Sequence, residues 1–292
     1  MRRIHLLVTC GLLGATCAGQ PVAHRLICAD NGLNEVFVVG TDGAIEWEFD
    51  VPVGQDVWRL PSGNYLVSHL RGAWEITPEK QIVWRYDSPE GTEVHTCQPL
   101  PDGSVMVIEC GTSRIVEVNR EGKTVKEVPL KTSTANVHGQ FRNGRKLPNG
   151  NYLIAFVGEN RLVEVDGEGS EVWSYATPGN CFAGVRLPDG NTLIPCGDGH
   201  KLIEINPQSE IVWQIDENEL PGNPLRFVAG VQRLPNGNTV VCNWGGHGHI
   251  GEQPLIFEVT RDKQVVWELK DYDRFRTISH VMLLDVEGEA VR

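Results

Sequence analysis

The sequence is poor in positive charge and in long apolar runs. It contains 26 Lys and Arg against 38 Asp and Glu, which gives a formal net charge of −12. Nucleic acids and anionic membranes bind proteins through clustered Lys and Arg, so we expect neither as a partner. The apolar run near the N-terminus is shorter than the roughly 20 residues that a transmembrane helix requires, so we also expect no membrane span.

Helical patterns are absent as well. No amphipathic segment with a 3.6-residue period extends beyond two turns, whereas 32 Gly and 17 Pro separate many short apolar stretches. Short alternating stretches divided by turn residues are typical of β-strands. The composition therefore predicts an all-β chain.

The cysteines do not form a dense disulfide framework. Six of the eight follow the N-terminal leader described below. Cys97 and Cys110, and likewise Cys181 and Cys196, lie on facing strands of their own predicted hairpins, so a bridge in either hairpin is possible. The alternative, which we favour, is that they are small apolar strand residues.

The N-terminus has the plan of a secretory signal peptide over residues 1–18. Arg2 and Arg3 precede an apolar run, and small residues follow it. Cys17 raises the question of lipidation, although Gly14 stands where a lipobox has Leu. We expect export to the periplasm or the extracellular space, with residues 19–292 forming the mature domain.

What the sequence does contain is a repeat. Versions of RLPNGNTVV, which begins at Arg233, return along most of the chain, and their prolines are about 40 or 47 residues apart, within the period range of propellers and solenoids. The aligned prolines are Pro61, Pro101, Pro148, Pro188 and Pro235. In each copy Leu-Pro-x-Gly joins two apolar runs as the tight turn of a β-hairpin.

Each repeat continues with a third strand such as KLIEI and a fourth strand that carries Trp. Four antiparallel strands make one propeller blade. The first blade lacks its inner strand, and the C-terminal stretch Thr277 to Asp285 reads as an inner strand without successors. The sequence thus predicts a six-bladed β-propeller that closes when its C-terminal strand pairs beside Leu26–Cys28, and we expect a monomer.

Two features of the repeat are interpreted as structural. The repeated Trp residues are expected to pack between blades, with Lys126 replacing Trp in one blade. The repeated Glu residues on the third strands alternate with apolar residues, which predicts half-solvated strands. They are Glu117, Glu164, Glu204 and Glu258.

The candidate site lies on one face of the ring. Loops between strands two and three and the connections between blades share a side, and seven of the nine histidines fall there. The ligand-binding candidates are His69, His95, Glu109, His138, Arg142, Arg226, Asn243, His247 and His249. The catalytic candidates are His95, Glu109, His138 and His280, and the candidate ligands for a divalent metal ion are His95, His138 and His247.

Arginines near the same mouth could hold an anionic group of a small ligand. They are Arg142, Arg145, Arg226, Arg274 and Arg276.

The stretches RLPDGNTLI, KLIEI and SEIVW resemble the PQQ-like and arylsulfotransferase-like propeller repeats of bacterial exported proteins, over residues 24–285. The quinoproteins are similar in their blades but are eight-bladed, so we expect no bound PQQ. Resemblance to arylsulfotransferases implies a histidine nucleophile at the channel mouth, which no stretch here assigns to one residue. Six-bladed amidating lyases and lactonases hold a catalytic metal in the same place.

Two functions remain open. The first is an exported propeller that binds a small polar ligand, a glycan or a protein partner on the His-rich face. The second is a metal- or His-dependent lyase or hydrolase at the same channel mouth. The first is favoured because the loops supply many polar groups but no recognisable catalytic order.

Overall fold

The computed structural model describes residues 24–288 and 290–292. The predicted signal peptide and Cys17 lie outside these residues. The described chain folds into six four-stranded antiparallel sheets, and two short 3₁₀ turns, Val137–Gly139 and Val157–Glu159, interrupt the loops. Among these residues there is no helix with the length and apolarity needed to cross a membrane. The predicted six-bladed β-propeller is confirmed.

The first three blades take up the N-terminal half of the chain. Blade 1 contains β1 (Leu26–Asp30), β2 (Glu35–Val39) and β3 (Ile45–Asp50). Blade 2 contains β4 (Val57–Arg59), β5 (Tyr65–His69), β6 (Gly72–Ile76) and β7 (Ile82–Asp87). Blade 3 contains β8 (Glu93–Pro99), β9 (Val105–Cys110), β10 (Arg114–Val118) and β11 (Thr124–Pro129).

The remaining blades follow the same order from the channel outward. Blade 4 contains β12 (Gly144–Lys146), β13 (Tyr152–Phe156), β14 (Arg161–Val165) and β15 (Glu171–Ala176). Blade 5 contains β16 (Val185–Arg186), β17 (Thr192–Pro195), β18 (Leu202–Ile205) and β19 (Ile211–Ile215). Blade 6 contains β20 (Val228–Arg233), β21 (Thr239–Asn243), β22 (Ile256–Val259) and β23 (Val265–Leu269).

The ring closes through the last strand, β24 (Ile278–Leu283), which is the inner strand of blade 1. It pairs antiparallel with β1, with Leu26 opposite Leu283 and Cys28 opposite Val281. The two chain ends therefore share one sheet, as the sequence predicts. Closure pairs an inner edge that would otherwise be exposed.

The Leu-Pro-x-Gly turns have the expected geometry. In blade 2 the Gly63 N–H donates to the Leu60 carbonyl at 2.9 Å, and Gly63 has φ of +92°. A side chain there would be strained, because only glycine adopts this region freely. The same bond recurs between Gly237 and Leu234.

The repeated tryptophans connect neighbouring blades. The indole N–H of Trp84 donates to the carbonyl of Asn119 at 2.9 Å, and that of Trp213 donates to the carbonyl of Arg261 at 2.8 Å. Lys126, which replaces Trp in blade 3, places its ammonium 5.4 Å from the ring centre of Tyr152 in blade 4. The predicted packing role is confirmed, and the substituted position keeps a contact to the next blade.

The repeated glutamates are structural, but the prediction that they lie on half-solvated strands was wrong. Glu164 is buried and accepts from Arg186 of the next blade at 2.8 Å. The Arg or Lys just before Leu-Pro is the partner in three consecutive junctions, which are Glu117–Lys146, Glu164–Arg186 and Glu204–Arg233. Periodicity within one strand carries no information about the neighbouring blade, so the burial of these glutamates could not be predicted from the sequence.

All six cysteines among the described residues are buried free thiols. Cys97 is paired in register with Val107, whereas Cys110 is paired with Glu93, so these two cysteines are not opposite each other. The favoured alternative is confirmed for Cys97 and Cys110, whereas Cys181 and Cys196 are buried but lie outside the strands, before β16 and after β17. Like Cys28 and Cys242, these residues fill the apolar space between strands.

Candidate functional site

A cavity of about 250 Å³ lies at one mouth of the channel. Every residue that lines it comes from a blade-to-blade connection or from a loop between the second and third strands of a blade, which is the face that the sequence predicts. The lining residues are Asn31, Val53, Gln55, His138, Gly139, Arg142, Val157, Gly158, Asn180, Phe182, Phe227, Trp244 and His247.

One side of the cavity is aromatic. The Phe227 ring lies 5.1 Å from Trp244 and 5.2 Å from His247, both nearly edge to face, and Phe182 is 5.6 Å from Phe227. The loop after β21 allows this packing because Gly246 lies against the Trp244 ring. A Cβ at Gly246 would stand 1.8 Å from a ring carbon.

Asn243, a predicted ligand-binding residue, holds this aromatic wall from behind. It is fully buried, and its side-chain oxygen accepts from the backbone N–H groups of Arg226 and Phe227 at 2.9 and 3.0 Å. These bonds satisfy the polar atoms of the connection that carries Phe227. Asn243 therefore positions a lining residue and does not itself line the cavity.

The other side of the cavity is polar. Arg142 is buried, and its Nη1 donates to the backbone carbonyls of His138 and Phe141. Burial lowers the pKa of the Arg142 guanidinium from its ordinary value. The side-chain oxygen of Gln55 is buried with no partner among the described residues. No Asp or Glu is among the lining residues, so Arg142 is their only formal charge apart from the titratable histidines.

Beside this polar side, Glu93, His95 and His138 converge. Glu93 and His95 lie two residues apart at the start of β8, and His138 lies on the 3₁₀ turn of the connection between blades 3 and 4. His138 Nδ1 and His95 Nε2 are 2.7 and 3.2 Å from the same Glu93 oxygen. The side chain of His138 is 59% exposed, whereas that of His95 is 1% exposed. The structure thus brings together two of the three predicted metal ligands.

The ionisation of this trio is set by burial and by its hydrogen bonds. The bond from His95, together with that from His138, lowers the pKa of Glu93 to about 2 against the opposing effect of burial. Burial, and secondarily the charge of Arg142, lowers the pKa of His95 to about 4. Near neutral pH the carboxylate is therefore ionised and the His95 imidazole is neutral.

Deeper in the channel lies a second polar cluster. Asp56 is fully buried and accepts from Arg145 at 2.7 Å and from Arg292 at 2.9 Å. His280, a predicted catalytic residue, is buried beside Asn143, with its Nε2 3.0 Å from the amide nitrogen. Burial lowers the pKa of His280 to about 4. The space here is only about 10 Å³, so this cluster fills the channel.

Four predicted site residues lie apart from the cavity. His69 packs on Trp74 with ring centres 4.2 Å apart. Three others are engaged by neighbouring side chains. They are Glu109 with Tyr86, Thr112 and Arg114; Arg226 with Glu217; and His249 with Glu252.

His247 lines the cavity but is hydrogen-bonded to Asp198 at 3.1 Å and does not belong to the trio. Glu93 lies on the face predicted from the sequence but was not chosen as a site candidate. The lining residues that were not singled out include Gln55, Phe182, Phe227 and Trp244. Glu93 had a usable signal, since a carboxylate two positions from His95 on one strand shares its face. The aromatic residues had no such sequence signal, because a Phe in a loop next to a strand is normally predicted to belong to the hydrophobic core.

The chain matches the model of the Mal s 1 allergenic protein-like family over residues 36–264. It belongs to this family. The assignment to PQQ-like or arylsulfotransferase-like repeats is not confirmed by this match. The crystal structure of a protein of unknown function from Bacteroides caccae is similar to this chain. The two are 31% identical, with 89% of this chain and 98% of that chain covered and a TM-score of 0.82. No curated protein matches this Mal s 1-like chain significantly.

More distant solved structures share the propeller fold. A streptogramin B lyase is 14% identical, with 86% of this chain and 84% of that chain covered and a TM-score of 0.59. A catalytically inactive virginiamycin B lyase from Staphylococcus aureus with quinupristin is also 14% identical. In that comparison 86% of this chain and 85% of that chain are covered, with a TM-score of 0.58. At this identity the likeness concerns the fold alone, and the Mal s 1-like family match adds no assigned activity.

Proposed function

We propose that this propeller binds a small ligand that has a flat apolar part and an anionic group, in the cavity at the channel mouth. The observation that carries the proposal is the lining itself. Phe182, Phe227 and Trp244 form an apolar wall, Arg142 supplies a positive charge, and no carboxylate lines the cavity. Few polar groups set into an apolar pocket are typical of small-molecule sites.

The charge of the cavity is opposite to that of the whole chain. The protein carries a formal net charge of −12, yet the lining has one arginine and no acid. Burial makes the charged form of Arg142 costly, as the direction of its pKa shift indicates. An anion in the cavity would lower that cost, because a buried charge is stabilised by a paired opposite charge.

The size of the cavity favours a small molecule over a glycan chain or a protein partner. About 250 Å³ is available. This is slightly below the roughly 300–1,000 Å³ of pockets for drug-sized ligands. A single planar ring system with a carboxylate fits these limits and would pack against Trp244.

Calorimetric titration tests the proposal with a matched panel of aromatic carboxylates, their neutral amides and simple sugars. We expect the carboxylates to bind more tightly than their amides. Arg142→Gln should weaken carboxylate binding by about tenfold or more, since a charge-assisted hydrogen bond contributes roughly 1.5–3 kcal/mol. Trp244→Leu should weaken carboxylate and amide alike.

Arg226→Gln is the matched control. Arg226 lies on the same face but pairs with Glu217 and does not line the cavity. We expect this variant to bind as the native protein does. Equal binding of carboxylates and amides, or equal loss in Arg142→Gln and Arg226→Gln, would show that the cavity does not select anions.

A second candidate function is a metal- or His-dependent lyase or hydrolase. The observation that favours it is the bond between His138 and Glu93 at the cavity, since a carboxylate that orients an exposed imidazole makes a general base. Two of the similar propellers are named as lyases. Mass spectrometry of a bound compound after incubation tests this function. Conversion that is lost in His138→Gln would support an enzyme, and recovery of the intact compound would support binding alone.

A further inference from the structure

The trio Glu93, His95 and His138 has donor atoms at metal-binding distances. One donor atom from each residue lies within 4.8 Å of the other two. The two contacts to the Glu93 oxygen measure 2.7 and 3.2 Å. In a tetrahedral zinc site with bonds of about 2.0–2.2 Å, neighbouring donors are roughly 3.3–3.6 Å apart. Only small side-chain adjustments separate the present arrangement from such a site.

The elements that carry the trio can make those adjustments. His95 is fixed, because it is buried on the inner strand β8. Glu93 stands at the start of the same strand with its side chain 26% exposed, and His138 is on a one-turn 3₁₀ element with its side chain 59% exposed. One rigid ligand and two mobile ones allow closure around an ion without displacement of the β-sheet.

The donor atoms also suit a metal ion. An imidazole binds a metal through an unprotonated ring nitrogen, and a carboxylate binds it when ionised. Both histidines already direct a ring nitrogen at the same Glu93 oxygen. His95 Nδ1 is buried without a partner among the described residues. The hydrogen bond to Glu93 places the proton of His95 on Nε2, and coordination of an ion by Nε2 would transfer that proton to Nδ1.

We infer that Glu93, His95 and His138 form a binding site for a zinc-like divalent transition-metal ion. Two imidazoles and one carboxylate are a donor set of catalytic zinc centres, in which a water or a substrate takes the fourth position. His138 lines the cavity, so the fourth position is reached from there. Imidazole donors favour Zn²⁺, Co²⁺ or Ni²⁺ over Ca²⁺ and Mg²⁺, which prefer oxygen.

Arg142 opposes the cation, because its guanidinium lies beside the trio and donates to the His138 carbonyl. Glu93 supplies one negative charge in return. The site therefore depends on metal–nitrogen bonding more than on net charge, which again favours transition metals. It does not depend on the proposed ligand, because metal binding can be measured with the cavity empty.

Titration of the chelator-treated full chain with Co²⁺ and Zn²⁺ tests the site. We expect one equivalent of Co²⁺ to bind with the visible absorption of a four-coordinate ion, and one equivalent of Zn²⁺ to displace it. Loss of an outer-shell partner costs roughly 10–100-fold in metal affinity, so loss of a direct ligand in Glu93→Gln or His138→Gln should cost at least that much. Both side chains are partly exposed, and thermal melts followed by circular dichroism check that each variant is folded.

His249→Gln is the matched control, because His249 forms a His–carboxylate pair with Glu252 at 2.9 Å without a second imidazole. We expect its metal affinity to equal that of the native chain. Should Co²⁺ bind without four-coordinate absorption, or should Glu93→Gln and His138→Gln bind as tightly as His249→Gln, the site assignment is overturned. Binding of aromatic carboxylates to the metal-free chain is measured separately. The metal-site proposal and the ligand-binding proposal can therefore be contradicted independently of each other.

Discussion

At the scale of single residues, Asp56 organises the interior of the channel. It accepts hydrogen bonds from Arg145, Arg292 and Thr96. Burial alone would raise the pKa of the Asp56 carboxyl, but the charges of Arg145, His280 and Arg292, in that order, hold it below its ordinary value. The two guanidiniums also lie 4.9 and 4.2 Å from the ring centre of Trp58. Two buried cations thus share one buried anion.

Replacement of Asp56 by Asn should leave Arg145 and Arg292 buried without a counter-charge. Removal of one partner from a buried ion pair typically costs about 3–5 kcal/mol. We therefore expect the free energy of unfolding of Asp56→Asn, measured by urea denaturation at pH 7, to fall by about this amount. The amide keeps the shape of the carboxyl, so the loss reports the charge and not a cavity.

Asp198→Asn is the control for this prediction. Asp198 pairs with His247 near the same mouth, but its side chain is 43% exposed. Exposed ion pairs contribute about 0–1 kcal/mol, and this variant should stay within that range. A loss in Asp56→Asn no larger than in Asp198→Asn would mean that the Asp56 cluster is solvated in solution.

At the scale of elements, the junction that closes the ring differs from the others. Four junctions join a buried Glu to Arg or Lys of the next blade, since Glu75 also pairs with Arg120. At the closing junction Glu258 instead accepts from His24 Nε2 at 2.8 Å, and Asp285 lies 3.3 Å from His24 Nδ1. The hydrogen bond to Glu258, with a smaller contribution from Asp285, raises the pKa of His24 above 6.5. The pairing at this junction therefore depends on the protonation of His24.

The pH dependence of this junction follows from the direction of that shift. Because the folded-state pKa of His24 is raised, its stabilising contribution is complete below pH 6.5 and is lost as the pH rises through the folded-state value. His24→Gln should therefore lower the free energy of unfolding below pH 6.5, by about 1 kcal/mol or less for a partly exposed pair. The difference from the native chain should vanish at alkaline pH.

His24→Arg serves as the comparison, because it restores the pairing used at the other junctions. Its free energy of unfolding should exceed that of the native chain only at alkaline pH. Urea denaturation at several pH values measures both differences. A native-minus-Gln difference that does not change with pH would show that His24 is not charged by Glu258.

The elements were predictable from the sequence to different degrees. Strands, turns and the Trp contacts follow from local patterns that recur in each repeat. Closure follows from the inner strand that the first blade lacks and the single inner strand left at the C-terminus. The buried pairing of Glu164 with Arg186 was not predicted, because it joins two repeats across a blade interface. His138 was predicted on the correct face, but its meeting with Glu93 depends on the path of an inserted connection, which no repeat defines.

At the scale of the whole molecule, three buried histidines make the stability of the ring sensitive to acidic pH. His69, His95 and His280 lie on β5, β8 and β24, which belong to three different blades. Burial lowers the pKa of each to about 4. In the unfolded chain all three would titrate near the ordinary value of about 6.5. Between about pH 6.5 and 4 the unfolded state therefore binds more protons than the folded ring.

The sign of the resulting pH dependence is opposite to that at His24. Stability is complete above pH 6.5 and is lost as the pH falls from 6.5 towards 4, with a slope that approaches about 1.4 kcal/mol per pH unit for each histidine. Glu93 does not add to the loss in this window until the pH falls below its ordinary value of 4.5, because its folded-state pKa is about 2. Urea midpoints between pH 7.5 and 4.5 should fall steeply.

The closed ring determines how this loss is distributed. Each blade packs on two neighbours, so protonation in one blade weakens interfaces that the others share. We expect one unfolding transition at every pH, with the slopes of the three histidines added together. His69→Gln removes an imidazole that packs on Trp74 outside the cavity. It should reduce the slope by about one third without a change in metal or ligand binding. Two separate transitions at pH 5 would contradict the shared ring, and an unchanged slope in His69→Gln would show that His69 is protonated in the folded chain.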